Sequence, residues 1–186
     1  LINKNVSAKA SYCTMTQYIH LLSNNGIGLP TDLWVPVTDK IKPQQSQQVA
    51  AGVAHMFKDN YEISVEGYYK TMSNIIEYKD GTSFLNSNQS WEDKVEMGKG
   101  WSYGGEVFVQ KKTGRLTGMM GYTLSWTNRK FPTINNGKIF PYKYDRRHDF
   151  KIAGVYKLKQ NIELSAEWIY GTGNSVSMPL FRYTTS

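Results

Sequence analysis

The chain has 186 residues, the length of one domain, and its 40 % hydrophobic, 13 % aromatic and 20 % charged residues exclude a disordered or collagen-like polymer and predict a folded chain. The formal charge of +7 comes with no basic run longer than Lys111-Lys112 or Arg146-Arg147, so no nucleic-acid partner is expected. One cysteine, Cys13, and three scattered histidines exclude an intramolecular disulfide framework and a cysteine zinc site and argue against a His-rich centre, so neither metal nor cofactor is expected.

Taken in chain order, the dominant signal is two-residue alternation, the period of strands whose successive side chains point to opposite sides. Val6 to Tyr18 sets Val6, Ala8, Ala10 and Tyr12 against Lys9, and after a long segment around 21–45, Val49 to Phe57 aligns Val49, Ala51, Val53 and Phe57. The turn Lys58-Asp59-Asn60 leads into the clearest case, Tyr61 to Met72, where Tyr61, Ile63, Val65, Gly67 and Tyr69 oppose Glu62, Ser64, Glu66, Tyr68 and Lys70. A second long segment spans about 80–100. Trp101 to Gln110 then places Trp101, Tyr103, Gly105, Val107 and Val109 opposite Glu106, and Leu116 to Trp126 follows the turn Lys112-Thr113-Gly114-Arg115 with Leu116, Met120, Tyr122, Leu124 and Trp126. A third long segment around 129–147 precedes His148 to Leu158, with Phe150, Ile152, Gly154, Tyr156 and Leu158 against Asp149 and Lys151. The turn Lys159-Gln160-Asn161 then opens Asn161 to Gly171, with Ile162, Leu164, Ala166, Trp168 and Tyr170 against Glu163, Ser165 and Glu167.

Seven antiparallel strands are therefore expected, with short polar turns at one end and long loops at the other. A soluble sandwich has no reason for that asymmetry, whereas an outer-membrane barrel has short periplasmic turns and long extracellular loops. Strands of about ten residues tilted by ~45° match the outer-membrane hydrocarbon band. Aromatics at both ends of the apolar faces form two girdles: Phe57, Tyr61 and Tyr156 near the turns, and Tyr69, Trp101, Tyr122, Trp126, Trp168 and Tyr170 toward the loops. No run of about 18 apolar residues exists, which excludes a helical membrane span, and Leu1 begins no hydrophobic leader, so any signal peptide is expected upstream. Seven strands are too few, and odd in number, for a bacterial single-chain barrel, and an open sheet cannot sit in lipid because its edge N–H and C=O groups go unsatisfied there, so the chain is expected to continue or to pair with another. The expected fold class is all-β, an antiparallel transmembrane barrel segment of a larger barrel, with all 186 residues in one partial barrel domain.

A family likeness rests on motifs in order. Leu29-Pro30-Thr31-Asp32-Leu33-Trp34-Val35-Pro36 with Ile41-Lys42-Pro43-Gln44, then Glu66-Gly67-Tyr68-Tyr69-Lys70, Gly98-Lys99-Gly100-Trp101-Ser102-Tyr103-Gly104-Gly105-Glu106 and Lys111-Lys112-Thr113-Gly114-Arg115-Leu116-Thr117-Gly118 are followed by Gly121-Tyr122-Thr123-Leu124-Ser125-Trp126, Asp145-Arg146-Arg147-His148-Asp149 and Tyr170-Gly171-Thr172-Gly173-Asn174. This succession resembles TonB-dependent outer-membrane receptors of the Bacteroidetes type over nearly the whole chain, departing at His55 and Met56. The resemblance implies a barrel of about 22 strands around an N-terminal plug, importing a scarce nutrient with energy passed through TonB. It places the plug, the TonB box and the closing strands outside these residues, and makes the rest of the barrel, the plug, the TonB complex, outer-membrane lipid and a nutrient the partners. Importers of glycans, peptides, metal chelates and cofactors share this scaffold.

Candidate sites follow from the faces. Lys9, Glu62, Glu66, Lys70, Glu106, Asp149, Lys151, Glu163 and Glu167 are expected to face the lumen, where they either pair with plug arginines or wet a water-filled channel. In the loops, Trp34, Trp91, Tyr142 and Tyr144 can stack on a sugar or aromatic ligand, with Asp32, Arg146 and Arg147 as polar contacts; the competing reading is internal loop packing or contact with lipopolysaccharide head groups. No enzyme is expected. Glu62 and Glu66 lie roughly 13 Å apart along a strand, too far for the ~5–9.5 Å pair of a glycosidase. Asp145, His148 and Asp149 have loop spacing rather than a metal or triad pattern. Gly100 to Gly104 matches G-x-S-x-G at Ser102, but a strand follows where a nucleophile elbow needs a helix, and Gly98-Lys99-Gly100 lacks the third glycine and helix of a dinucleotide loop. Two other classes stay open: a smaller barrel or adhesin-like protein that closes by oligomerising, and a soluble β-sandwich with a carbohydrate-binding face.

Overall fold

A computed structural model describes residues 4–23, 32–79, 82, 90–173 and 175. The elements are β1 (Val6–Gln17), β2 (Ile19–Ser23), β3 (Asp32–Pro36), β4 (Gln44–Phe57), β5 (Tyr61–Tyr78), α1 (Trp91–Lys94), β6 (Val95–Lys111), β7 (Leu116–Lys130), β8 (Phe140–Pro141), β9 (His148–Lys159) and β10 (Ile162–Gly171). The seven long strands form one antiparallel meander in the order β1-β4-β5-β6-β7-β9-β10; β8 adds a short pairing to β7, and β2 and β3 form a separate hairpin. The outer strands β1 and β10 do not pair with each other, so the sheet is open.

The register aligns the alternation of every strand. One row of neighbours reads Ala8, Val53, Val65, Val107, Tyr122, Phe150 and Tyr170, and another Tyr12, Val49, Tyr69, Tyr103 and Trp126. The adjacent row on the other face reads Lys9, Gly52, Glu66, Glu106, Thr123, Asp149 and Gly171. Accessibility runs opposite to that of a half-buried soluble sheet: on β4, Val49, Val53 and Phe57 are exposed while Ser46, Ala50 and Gly52 are buried. On β4 and β5 the side chains are thus crowded on the polar face and open on the apolar one. In water each large apolar side chain left exposed forgoes roughly 1.5–3 kcal/mol of burial, and the patch spans all seven strands.

The turns are short for local reasons. Between β4 and β5, Lys58 and Asp59 both take positive φ (49° and 52°), as a hairpin turn that follows strand twist requires, and Asn60 N donates to the Phe57 carbonyl. The Asn60 side-chain oxygen then accepts from Thr113 N (2.8 Å) and Thr113 Oγ1 (2.7 Å), tying this turn to the next one.

The strands run past their sequence-predicted ends on the loop side. β4 begins at Gln44 rather than Val49, β5 continues to Tyr78, β6 begins at Val95 and β7 continues to Lys130. The alternation misses these tips because Gln44 to Gln48 is polar on both faces and because β5 carries a bulge at Asn74 (φ 57°) that breaks its period. Beyond the bulge, Ile75 and Ile76 are both buried, on opposite faces. Ile76 and Val95 pack with Leu22 and Val35 of the hairpin and with Ile41, flanked by Trp91 and Met97. Ile75 packs with Phe131 and Ile134, flanked by Met72 and Phe140. Gly98 is a glycine for a steric reason, since a Cβ there would lie 2.4 Å from the Phe131 ring. The long loops therefore hold structure: a hairpin, a helical turn and a left-handed turn at Asn135 and Asn136, all packed on the tips of β5 and β6.

His20 of β2 is 1 % exposed, with Nε2 3.0 Å from the Lys42 carbonyl and Nδ1 unpartnered. Burial pushes its pKa down, opposed only by the Lys42 hydrogen bond. The unfolded hairpin therefore binds a proton first on acidification, so docking is at full strength above the ordinary histidine value of about 6.5 and weakens as pH falls below it. Hydrogen exchange at Leu22 and Val35 is expected to speed up below that value and to lose its pH step in His20→Phe; intrinsic-rate-corrected protection that is the same on both sides contradicts this.

Candidate functional site

The loop-side cluster over β7 is assembled by the 129–147 segment folding back along its own strand. Arg129, at the tip of β7, pairs with Glu77 at the tip of β5 (2.8 Å), both largely buried, and its guanidinium lies 3.5 Å over the Tyr142 ring. Tyr142 meets Tyr144 edge-on at 5.2 Å. Burial pushes the Tyr142 hydroxyl pKa up, with Arg129 opposing. Asp145, 6 % exposed, accepts from Thr127 N (2.7 Å) and from Arg147 (3.0 Å), and Arg147 stacks over Trp126 at 4.8 Å. The Trp126 ring continues a stack through Tyr103 (5.2 Å) to Tyr69 (6.5 Å). The loop is thus clamped to the aromatic row at the upper border of the apolar face.

Of the loop candidates, Tyr142, Tyr144 and Arg147 lie in this β7 cluster, whereas Arg146 turns to Asp149 on the charged face and Trp34 and Trp91 lie elsewhere. Trp91 is taken up in packing against the hairpin core. Trp34 is 61 % exposed on β3, beside Met15, Tyr18 and Ile19. Asp32 opens β3, but its side chain lies outside the described residues, as do Leu29 to Thr31 and Asn174 of the family-like motifs. Tyr144, 51 % exposed with Lys143 over its ring at 4.7 Å, is the most available aromatic of the β7 cluster. Arg129 and Glu77 had no signal in the sequence, because the alternation had already ended below them.

The nine charged candidates of the strands all fall on the polar face. Lys9 pairs with Glu66, Lys112 with Glu62 (2.7 Å), Lys151 with Asp149 (3.1 Å) and Lys157 with Glu163 (3.6 Å), while Arg146 lies 3.9 Å from Asp149. Glu66 and Glu106 stand directly opposite each other. Lys70, Glu106 and Glu167 carry no salt bridge among the described residues. Cys13 lies on the same face in the row of Gln48, Lys70 and Ser102, as an exposed free thiol.

Each enzyme-like pattern is engaged otherwise. His148 Nδ1 lies 2.8 Å from the Tyr122 hydroxyl on the apolar face, Asp149 faces Lys151 on the polar one, and Asp145 is held by Thr127 and Arg147. Ser102 Oγ meets Thr127 Oγ1 (3.0 Å) in mid-strand. Among the described residues no three His, Cys, Asp or Glu side chains group closely enough to hold a metal ion. Among the described residues no helix is long and apolar enough to cross a membrane, which says nothing of strands. No family model matches the chain, and no curated protein matches it.

Arg129→Met removes the guanidinium that pairs with Glu77 and is expected to cost about 3 kcal/mol, with faster hydrogen exchange through residues 131–147. Adding Glu77→Leu is expected to recover most of the loss. Unchanged loop exchange in the single variant contradicts the assignment.

Proposed function

We propose that this chain is a segment of a TonB-dependent outer-membrane receptor of the Bacteroidetes type, which binds a nutrient at its loops and lumen and imports it with energy passed through TonB. The observation that carries the reading is an apolar surface shared by one face of all seven long strands, bordered by aromatics and backed by a charged face, with the apolar face the more open of the two on β4 and β5. Lipid is the solvent that makes such a surface favourable, and a polar lumen suits the opposite face. From the row of Phe57 and Tyr61 to the row of Tyr12 and Trp126 the strands run about 26 Å along their length, on the order of 19–22 Å across a membrane at a barrel tilt of about 35–45°, so the two aromatic rows fall just inside the borders of an apolar band of about 25 Å. The short-turn end is then periplasmic and the clamped loops extracellular, where exposed Tyr144 and Trp34 are available to a ligand. The unpaired edges of β1 and β10 require further strands in lipid, supplied by the rest of a longer chain.

Those same edges favour one other reading, a smaller barrel that closes by pairing β1 of one copy with β10 of another. Both are tested by the native polypeptide in an outer-membrane fraction, run with and without boiling. The receptor reading expects a heat-modifiable band several times larger than 21.2 kDa that stays large after boiling. A large unboiled band that collapses to about this size on boiling supports the oligomer, and a soluble band of this size contradicts both.

A further inference from the structure

The apolar face is not uniformly filled. In the row Lys111, Gly118, Gly154 and Ala166 the three small residues lie side by side on β7, β9 and β10. The row above carries Met120, Ile152 and Trp168, and the row below carries Leu116, Tyr156 and Leu164. The result is an open groove of about 610 Å³ with almost wholly apolar walls, ending at Tyr61 and Lys111, a size within the ~300–1,000 Å³ range of ligand clefts. The small floor is enforced at Gly118, where a Cβ would lie 2.4 Å from the Ala153 carbonyl oxygen.

The cations at the short-turn border give the groove a direction. Lys58 lies over Phe57 at 5.2 Å, Lys111 over Tyr61 at 5.8 Å and Arg115 over Tyr156 at 5.9 Å, so every aromatic of this girdle carries a basic neighbour. None of the three cations makes a salt bridge among the described residues, and the rows of the apolar face carry no acid to oppose them. Arg115 is held in place by its Nη2 donating to the Leu158 carbonyl (3.2 Å).

We propose that this groove binds one anionic phospholipid of the leaflet at the short-turn end, its acyl chain lying over Gly118, Gly154 and Ala166 and its phosphate between Lys111 and Arg115. Charge complementarity decides the occupant: the cations stand at the short-turn border, away from Glu167 of the polar face, which also lines the groove, and a neutral chain or an apolar protein segment leaves Lys111 and Arg115 without a counterion. The proposal rests on the membrane reading above, and the test separates the two.

The full-length protein is reconstituted in phosphatidylethanolamine vesicles doped with phosphatidylglycerol, its insertion checked by heat-modifiable migration, and the lipids it retains counted by native mass spectrometry. One retained phosphatidylglycerol is expected, with an affinity loss of about fivefold for each cation removed in Lys111→Gln and Arg115→Gln. Gly154→Leu, whose Cβ would meet only the Thr117 carbonyl oxygen at 3.7 Å, is expected to expel the lipid while leaving both cations intact. Insertion with retention of phosphatidylglycerol no greater than its share of the vesicle lipid, or with variants that retain as much as the unmodified protein, overturns the groove proposal alone. Failure of the protein to insert overturns the membrane reading and the groove together.

Discussion

The constraint on which the rest of this structure depends is the placement of apolar side chains on the open face of an antiparallel sheet. Packed protein cores arise when apolar faces turn toward one another, yet here Val53, Val65 and Val107 stand in one row with nothing over them. The charged residues are on the opposite side, where many of them pair, as Lys112 does with Glu62 and Lys151 with Asp149. Such a sheet is stable only when its medium supplies what a second layer supplies in a sandwich. Everything proposed about function descends from that inversion and from the polar, clamped loops at one end of it.

The small true cores show how the sheet is finished. Both lie at the tips of β5 and β6 rather than over the broad apolar face, one holding the β2-β3 hairpin and the other the Phe131 to Ile134 turn. A single bulge at Asn74 divides the two regimes: below it the strand alternates between apolar and polar surfaces, and above it Ile75 and Ile76 each enter a different core. Asn74 also donates to the Pro43 carbonyl (2.9 Å), so the residue that bends the strand fastens the segment leading into β4. The Arg129 clamp on Glu77 and Tyr142 extends the same logic, tying a third segment to the tip of β5.

The strands were legible in the sequence because the environment changes sign every residue across the apolar band. All seven long strands and their faces follow from residues such as Tyr61 to Lys70, and the short turns follow from polar interruptions such as Lys58 to Asn60. The tips were not legible because Gln44 to Gln48 has no apolar member and because a bulge resets the period of β5. The long segments read as loops for the same reason, although one contains a paired hairpin. For the candidate site, residue type was a partial guide: Tyr142 and Tyr144 meet edge-on, but Arg146 turns to the charged face, Trp91 belongs to a core, and the pair of Arg129 and Glu77, 52 residues apart, is visible only in three dimensions.

The central claim is that the apolar face meets lipid and the charged face meets water. Spin labels on single cysteines, introduced along β5 and β6 after Cys13→Ser, test it most directly by their relative accessibility to oxygen and to a water-soluble nickel chelate. The account predicts that labels at Val65, Tyr69 and Val107 are relaxed by oxygen, those at Ser64, Glu66 and Glu106 by the chelate, with the preference reversing at every residue. Chelate accessibility at both sets, or protection of Val65 and Val107 from both reagents, contradicts it.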